Sequence, residues 1–433
     1  MAYSPRLVRA RGVPLSSLHS NLTPLRSWDG GVVLPPAPLP ILPIEPSVAP
    51  LPDEWAGHGP LFGSVGEVLE QVQPEDPLQV WRPAVLAATA ERFVRGFSGT
   101  PFFAVKCNPA PMILRALFAA GVQQFDVASV EEVRTVAAAC PGAAMIFMHP
   151  VKSIEAIRVS SHDFGVRVFS LDDPRELKKI LAHVPSGANL TLVVRLAVPN
   201  DSAKLKLDKK FGASPAMAVR LLRMIAAAGQ RAGLSFHVGS QCGSPDAYGT
   251  ALRLCAKVVA KAGVALDVLN VGGGFPAAYD PTVPVLEEYF AAIDSLRRGL
   301  PELRHAKLWA EPGRALVAAA GSVLARVELR KGHSLYLNDG VYGGLNEAGP
   351  QIGVVHPVTI WRNGKVVQAA TVNFKCYGPT CDSLDVLPGP YALPASVRAG
   401  DWLEFGMAGA YGQCLRSGFN GFGGGAVVLV GGG

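Results

Sequence analysis

Lys106 closes the run Pro-Phe-Phe-Ala-Val-Lys (101–106), and a primary amine delivered by an apolar segment can form a Schiff base with an aldehyde. Other charge-bearing or hydrogen-bonding residues also stand at the ends of short apolar runs. They are Asp126 and Ser129, Arg195, His237 and Ser240, Gly272-Gly273-Gly274, and Glu311 with Arg314. Glycine amides approach phosphate oxygens closely, an arginine binds them at two points and a serine hydroxyl adds a third partner. The glycine run with Ser240 and Arg314 therefore suits a phosphate monoester.

A phosphate beside an amine suggests pyridoxal 5′-phosphate. Glu311 then has a use, because a buried carboxylate can hold a pyridine nitrogen protonated and make the ring an electron sink. Singly these residues have plainer explanations, such as a turn glycine, a solvated lysine or a core histidine. Their succession at strand ends gives the pattern its weight.

The elements that must position them follow from hydrophobic spacing. Apolar runs at 101–106, 124–129, 144–150, 166–172, 190–199, 234–240, 266–274 and 307–313 read as eight strands. Between them, 111–121, 130–140, 173–184, 216–230, 248–263 and 285–300 carry apolar residues at three- and four-residue intervals and read as helices. Eight strand-helix units predict a (β/α)8 barrel, whose strand C-termini converge on one face. After residue 315 strand-like segments alternate with turns, which predicts a second, all-β domain, a β-barrel or sandwich, completed by a strand from before residue 90. The expected division is a proline-rich extension over 1–75, the barrel over 76–318 and the β domain over 319–433. The densest proline stretch, 34–52, reads as extended chain, and the glycine-rich end after Phe419 reads as loosely packed.

Composition narrows the function classes. Of 433 residues, 17% are charged and the net charge of +6 has no dense basic run, which argues against nucleic-acid binding. The seven cysteines (107, 140, 242, 255, 376, 381, 414) are scattered and form no C-x-x-C pair, so neither a disulfide framework nor a metal cage is expected. No signal-peptide core or membrane-length apolar stretch is evident, and a cytoplasmic protein is expected.

PFFAVKCN (101–108), FDVAS (125–129), KFGA (210–213), SFHVGSQC (235–242), VGGGFP (271–276), AEPGR (310–314), LNDGVYGGLN (337–346) and YGPTCDSLD (377–385) continue the pattern, with GAYG (409–412) and FNGF (419–422). In these motifs the chain resembles the fold-type III pyridoxal-phosphate decarboxylases, in particular the ornithine/lysine decarboxylase group, from about residue 85 to 422.

The resemblance implies that Lys106 bonds the cofactor aldehyde, His237 stacks on its ring and Glu311 pairs with its nitrogen. It further implies that Ser240, Gly273, Gly274, Arg314 and Tyr411 hold the phosphate, while Asp126 and Arg195 support the lysine side of the cofactor. Cys381 is similar to a proton donor and Asp382 to a carboxylate that binds the substrate's distal amine, both inserted into the neighbouring subunit's site of a homodimer. Tyr342 and Gln351 fall among the substrate-side positions. Gln351 stands where the group commonly has a second acid, so either Glu347 substitutes through a shifted loop or a different or modified amino acid is the alternative substrate, and a non-catalytic partner-binding homologue is the alternative class. The run CDSLD disfavours a diaminopimelate decarboxylase, and Cys381 stands where alanine racemase needs a tyrosine.

Overall fold

The computed structural model describes residues 55, 57, 59–199, 202–205 and 210–431. Helices form where the spacing requires them, at Pro111–Ala119, Val130–Ala139, Pro174–His183, Pro215–Ala227, Asp246–Ala262 and Leu286–Gly299. Short polar side chains start several of them. Ser129 accepts the Glu132 amide and Ser214 the Met217 amide, each satisfying an N–H that the first turn leaves unpaired. Ser129 is therefore a helix cap rather than a member of the site. Pro83–Gly96 and Ile154–Arg158 are further helices that the sequence reading left out.

Thr100–Pro101 pairs with Lys307–Ala310, whereas Phe103–Ala104 pairs with Gln124–Val127, so one stretch of chain joins both ends of the sheet. Ala144–Phe147, Val168–Leu171, Thr191–Arg195, Arg231–Ser235 and Val268–Asn270 complete it, every pairing being parallel. The result is the expected eight-membered barrel. Several strands end sooner than their apolar runs. His237 and the three glycines lie in loops beyond Ser235 and Asn270, Ser240 opens a short separate strand, Ser240–Cys242, paired with Ala203–Leu205, and Lys106 rides on a 3-10 turn, Val105–Cys107, instead of ending a strand. That turn buries Cys107 against Gly313, where an added Cβ would meet the Cys107 Cβ at 2.9 Å, so Cys107 is core for a reason other than strand alternation.

The second sheet is built on Gly321–Lys331, which pairs with Leu78–Trp81, Ser334–Leu337 and Trp402–Phe405. Leu78–Trp81 runs parallel to Val427–Val430, and the latter pairs with Leu61–Phe62. The glycine-rich end thus supplies a buried strand, because the alternative for Val428, Leu429 and Val430 is apolar surface in water. Leu61–Phe62 and the helix Val65–Val72 fold as part of this region although they fall in the stretch read as extension. Residues 1–54 of that stretch, including the prolines of 34–52, lie outside the described residues. Among the described residues no helix is long and apolar enough to cross a membrane.

Candidate active site

A cavity of about 300 Å³ opens at the C-terminal face of the barrel, lined by Lys106, Asp126, Arg195, His237 and Glu311 together with Met148, His149 and Phe211. Asp126 is the penultimate residue of the strand Gln124–Val127 and is buried, and its Oδ2 accepts from the Lys106 Nζ at 3.0 Å. Burial opposes the lysine's charge, but Asp126, with Tyr411 and Glu311 behind it, outweighs that cost and holds the amine above its usual range. The Lys106 side chain is nevertheless 46% exposed toward the open cleft, so the amine is reachable.

Glu311 follows the strand Lys307–Ala310. Burial and the neighbouring Asp126 push its carboxyl upward, against the pull of Lys106 and Arg195. Asn270 fixes it, donating from Nδ2 to Oε1 at 2.7 Å, while the Asn270 Oδ1 accepts the Gly272 amide at 2.8 Å. His237 is held neutral, well below its ordinary range, by burial and by Arg195 and Lys106. Its Nδ1 accepts the Gly239 N–H at 3.0 Å, which leaves the single ring proton on Nε2. The glycines lie flat beside this ring. Gly272 has φ +68° and a Cβ there would fall 2.1 Å from the Phe236 carbonyl oxygen, while a Cβ on Gly273 would reach 2.9 Å from the His237 Nε2. Arg195 ends its strand with the guanidinium 5.8 Å from the Phe211 ring centre.

A second corner of the site lies where barrel and β domain meet. Arg314 is buried there, donating to the Tyr279 hydroxyl at 2.8 Å and the Ser240 hydroxyl at 3.2 Å, with the Tyr411 ring 5.1 Å away. Tyr411 is tied to the lysine turn, its N–H donating to the Cys107 carbonyl at 2.9 Å. The Nε of Arg314 is buried with no hydrogen-bond partner among the described residues. Both remaining guanidinium nitrogens also pair with Glu347.

Cys381, Asp382, Tyr342 and Gln351 stand apart from the lysine cavity. Cys381 and Gln351 are exposed, and none of the four lines the cavity. Tyr342 donates its hydroxyl hydrogen to Asp382, and the Cys381 N–H donates to the Asn420 Oδ1 at 3.0 Å. The Leu384 amide and the Tyr342 hydroxyl hold the Asp382 carboxylate below its usual range.

Sequence reasoning missed Asn270, Tyr279, His149 and Phe211. A polar residue in an otherwise apolar strand was a visible signal for Asn270, whereas the other three lie in loops with no periodicity to expose them.

The donor set fits pyridoxal 5′-phosphate: an accessible amine, a buried carboxylate fixed by an amide, a neutral imidazole beside a glycine cradle, and an arginine with an unpartnered buried N–H. Comparison with known proteins agrees. The family model for the pyridoxal-binding domain of pyridoxal-dependent decarboxylases matches residues 85–318. The chain is 33% identical to an ornithine decarboxylase of Caenorhabditis elegans over 74% of its length and 79% of that protein. It is 31% identical to antizyme inhibitor 2 of Xenopus laevis, over 82% of each. Among solved structures, a lysine/ornithine decarboxylase from Vibrio vulnificus complexed with cadaverine superposes with a TM-score of 0.73 at 30% identity, over 85% of this chain and 99% of that one.

Proposed function

The chain belongs to the pyridoxal-dependent decarboxylase family, and from that premise we propose that it removes the α-carboxylate of a basic L-amino acid, ornithine or lysine, to give a diamine. The observation that carries this reading is the convergence of Lys106, Asp126 and Glu311 on one cavity of about 300 Å³. When bound, pyridoxal 5′-phosphate supplies an aldehyde for an amine and a ring that accepts the electron pair left when carbon dioxide departs.

The protein's part is positional and electrostatic. Asp126 orients the Lys106 Nζ and keeps a proton on it, so the amine is released as a nucleophile only when that proton is passed on. Glu311, held by Asn270, sets the proton at the ring nitrogen's side of the cavity. His237, neutral and protonated on Nε2, gives a flat uncharged wall that takes up no proton during turnover. The glycine cradle excludes side chains from the opposite edge.

The carboxylates that line this cavity are already engaged, Asp126 with Lys106 and Glu311 with Asn270, so an anion for the substrate's distal ammonium and a separate proton donor for its carbon are sought outside the lining. Cys381 and Asp382 fit both roles in a homodimer, each copy extending them into the other's cavity. Leu384, Phe419 and Phe422, exposed around them, suit coverage by that second copy. With Gln351 neutral and exposed, recognition of the distal ammonium falls on Asp382, so discrimination among ornithine, lysine and longer basic amino acids is expected to be loose. Such a diamine would enter polyamine formation, and seven free thiols fit a reducing cytoplasm.

The test is carbon dioxide and amine release by the cofactor-loaded protein from ornithine, lysine, arginine and diaminopimelate. Turnover of ornithine or lysine is expected. Cofactor binding without release of carbon dioxide from any of them would overturn the reading and favour a partner-binding homologue.

A further inference from the structure

Glu347 is a buried carboxylate at the seam between barrel and β domain that the proposed reaction does not use. It lies on the 3-10 turn Asn346–Ala348, while Arg314 opens the short helix Arg314–Val317. Both Glu347 oxygens accept from the guanidinium, Oε1 from Nη2 at 2.5 Å and Oε2 from Nη1, and the two side chains are only 4% and 5% exposed. This two-point contact is the one an arginine offers a phosphate. The remaining contacts of the same nitrogens go to Tyr279 and Ser240, and His356, which packs edge-on against Tyr279, is held neutral by its burial. Among the described residues no second cation joins these hydrogen bonds, although the Lys204 charge reaches His356. A phosphate and the Glu347 carboxylate would therefore compete for one buried positive charge, and two anions held together there repel each other strongly because little water screens them.

We propose that Glu347 is a resident anion of the cofactor's phosphate site, holding Arg314 by the contact the phosphate needs, so that the phosphate gains a two-point grip on the guanidinium only by displacing the carboxylate, the Nε–H alone being open to it. This rests on the pyridoxal-phosphate reading and on Arg314 as the phosphate's ligand. Displacement offsets most of what the phosphate would add to affinity. The chain then distinguishes pyridoxal phosphate from unphosphorylated pyridoxal weakly, and loading rearranges the turn that carries Glu347. If the pair were a structural bridge alone, removing the carboxylate's charge would lower stability without changing that discrimination.

The experiment is an absorbance titration of the full chain with pyridoxal phosphate and with pyridoxal, read at the band formed with Lys106 and expressed as the ratio of the two affinities. Glu347→Gln is expected to raise the ratio by ~10–100-fold, through tighter binding of the phosphorylated compound, and Glu347→Asp to fall between it and the native chain. Thermal midpoints measured in millimolar inorganic phosphate should rise more for Glu347→Gln than for the native protein. A ratio unchanged by Glu347→Gln overturns the inference. Should neither variant fold, the native ratio decides: a preference below about a thousandfold supports displacement and a larger one contradicts it. A native chain that forms no band with either compound defeats the cofactor reading itself, whereas bands with an unaltered ratio defeat only the role of Glu347.

Discussion

The barrel mouth and the outer edge of the β domain carry comparable chemistry in opposite conditions. At the mouth, Lys106, Asp126, Glu311, Asn270 and His237 are fixed by hydrogen bonds, and the pKa values of Lys106, Glu311 and His237 are displaced from their ordinary ranges. At the edge, Cys381 is exposed and Asp382 is tied mainly to its own loop and to Tyr342. A group that must hold a cofactor gains from being preorganised on rigid elements, while a group that must complete a site on another copy has to be presented outward. On the proposed dimeric reading these are two half-sites, and within one chain Cys381 and Asp382 do not line the lysine cavity.

The contrast can be broken at either end. Lys106→Ala should have the largest effect, abolishing the cofactor absorbance band and lowering turnover by on the order of a thousandfold or more; a surviving band would remove the lysine from the mechanism. Cys381→Ala should leave that band and the melting temperature in place yet cost ~100-fold in kcat. A loss of cofactor affinity in that variant would mean the two regions are not separable. Asn270→Ala deprives Glu311 of its donor, and kcat should fall roughly tenfold while the band persists, which sharpens the claim that the carboxylate acts through its orientation.

The smallest effect concerns the joint between the regions. Burial pushes His356 down to about 4, so between pH 6.5 and 5.5 the unfolded chain takes up a proton that the folded one refuses. Stability from this residue is present above pH 6.5 and is lost as pH falls toward 4, by ~1 kcal/mol over that first unit. Glu311, displaced upward, contributes in the opposite direction, so the readout is the difference in urea midpoint between the native chain and His356→Gln across the window.

Much of the barrel was legible because its helices repeat at 3.6 residues and its strands are buried on both faces, as in Asp246–Ala262 and Thr191–Arg195. The convergence of Asp126, Arg195 and Glu311 on one cavity was legible as well, since each stands at or next to a strand end. Strand ends were not. An apolar loop such as 236–239 reads as strand until the backbone turns to receive Gly272 and Gly274, and the lysine's 3-10 turn depends on Pro312 and Ala310 two hundred residues away. For the same reason the pairing of Arg314 with Glu347 was invisible, as it joins a short helix to a 3-10 turn that only the docking of the β domain brings together. The buried strand Val427–Val430 was hidden by its glycine neighbours, because nothing local reveals that Leu78–Trp81 will cover it.

The account's central claim is that a cavity on one chain is completed by Cys381 from a second. Mixing Lys106→Ala with Cys381→Ala, each nearly inactive alone, tests it directly. Free exchange of subunits should return roughly a quarter of the native activity, because half of the dimers are mixed and each mixed dimer holds one intact site. A mixture no more active than its two components, with exchange demonstrated by labelled subunits, would contradict it.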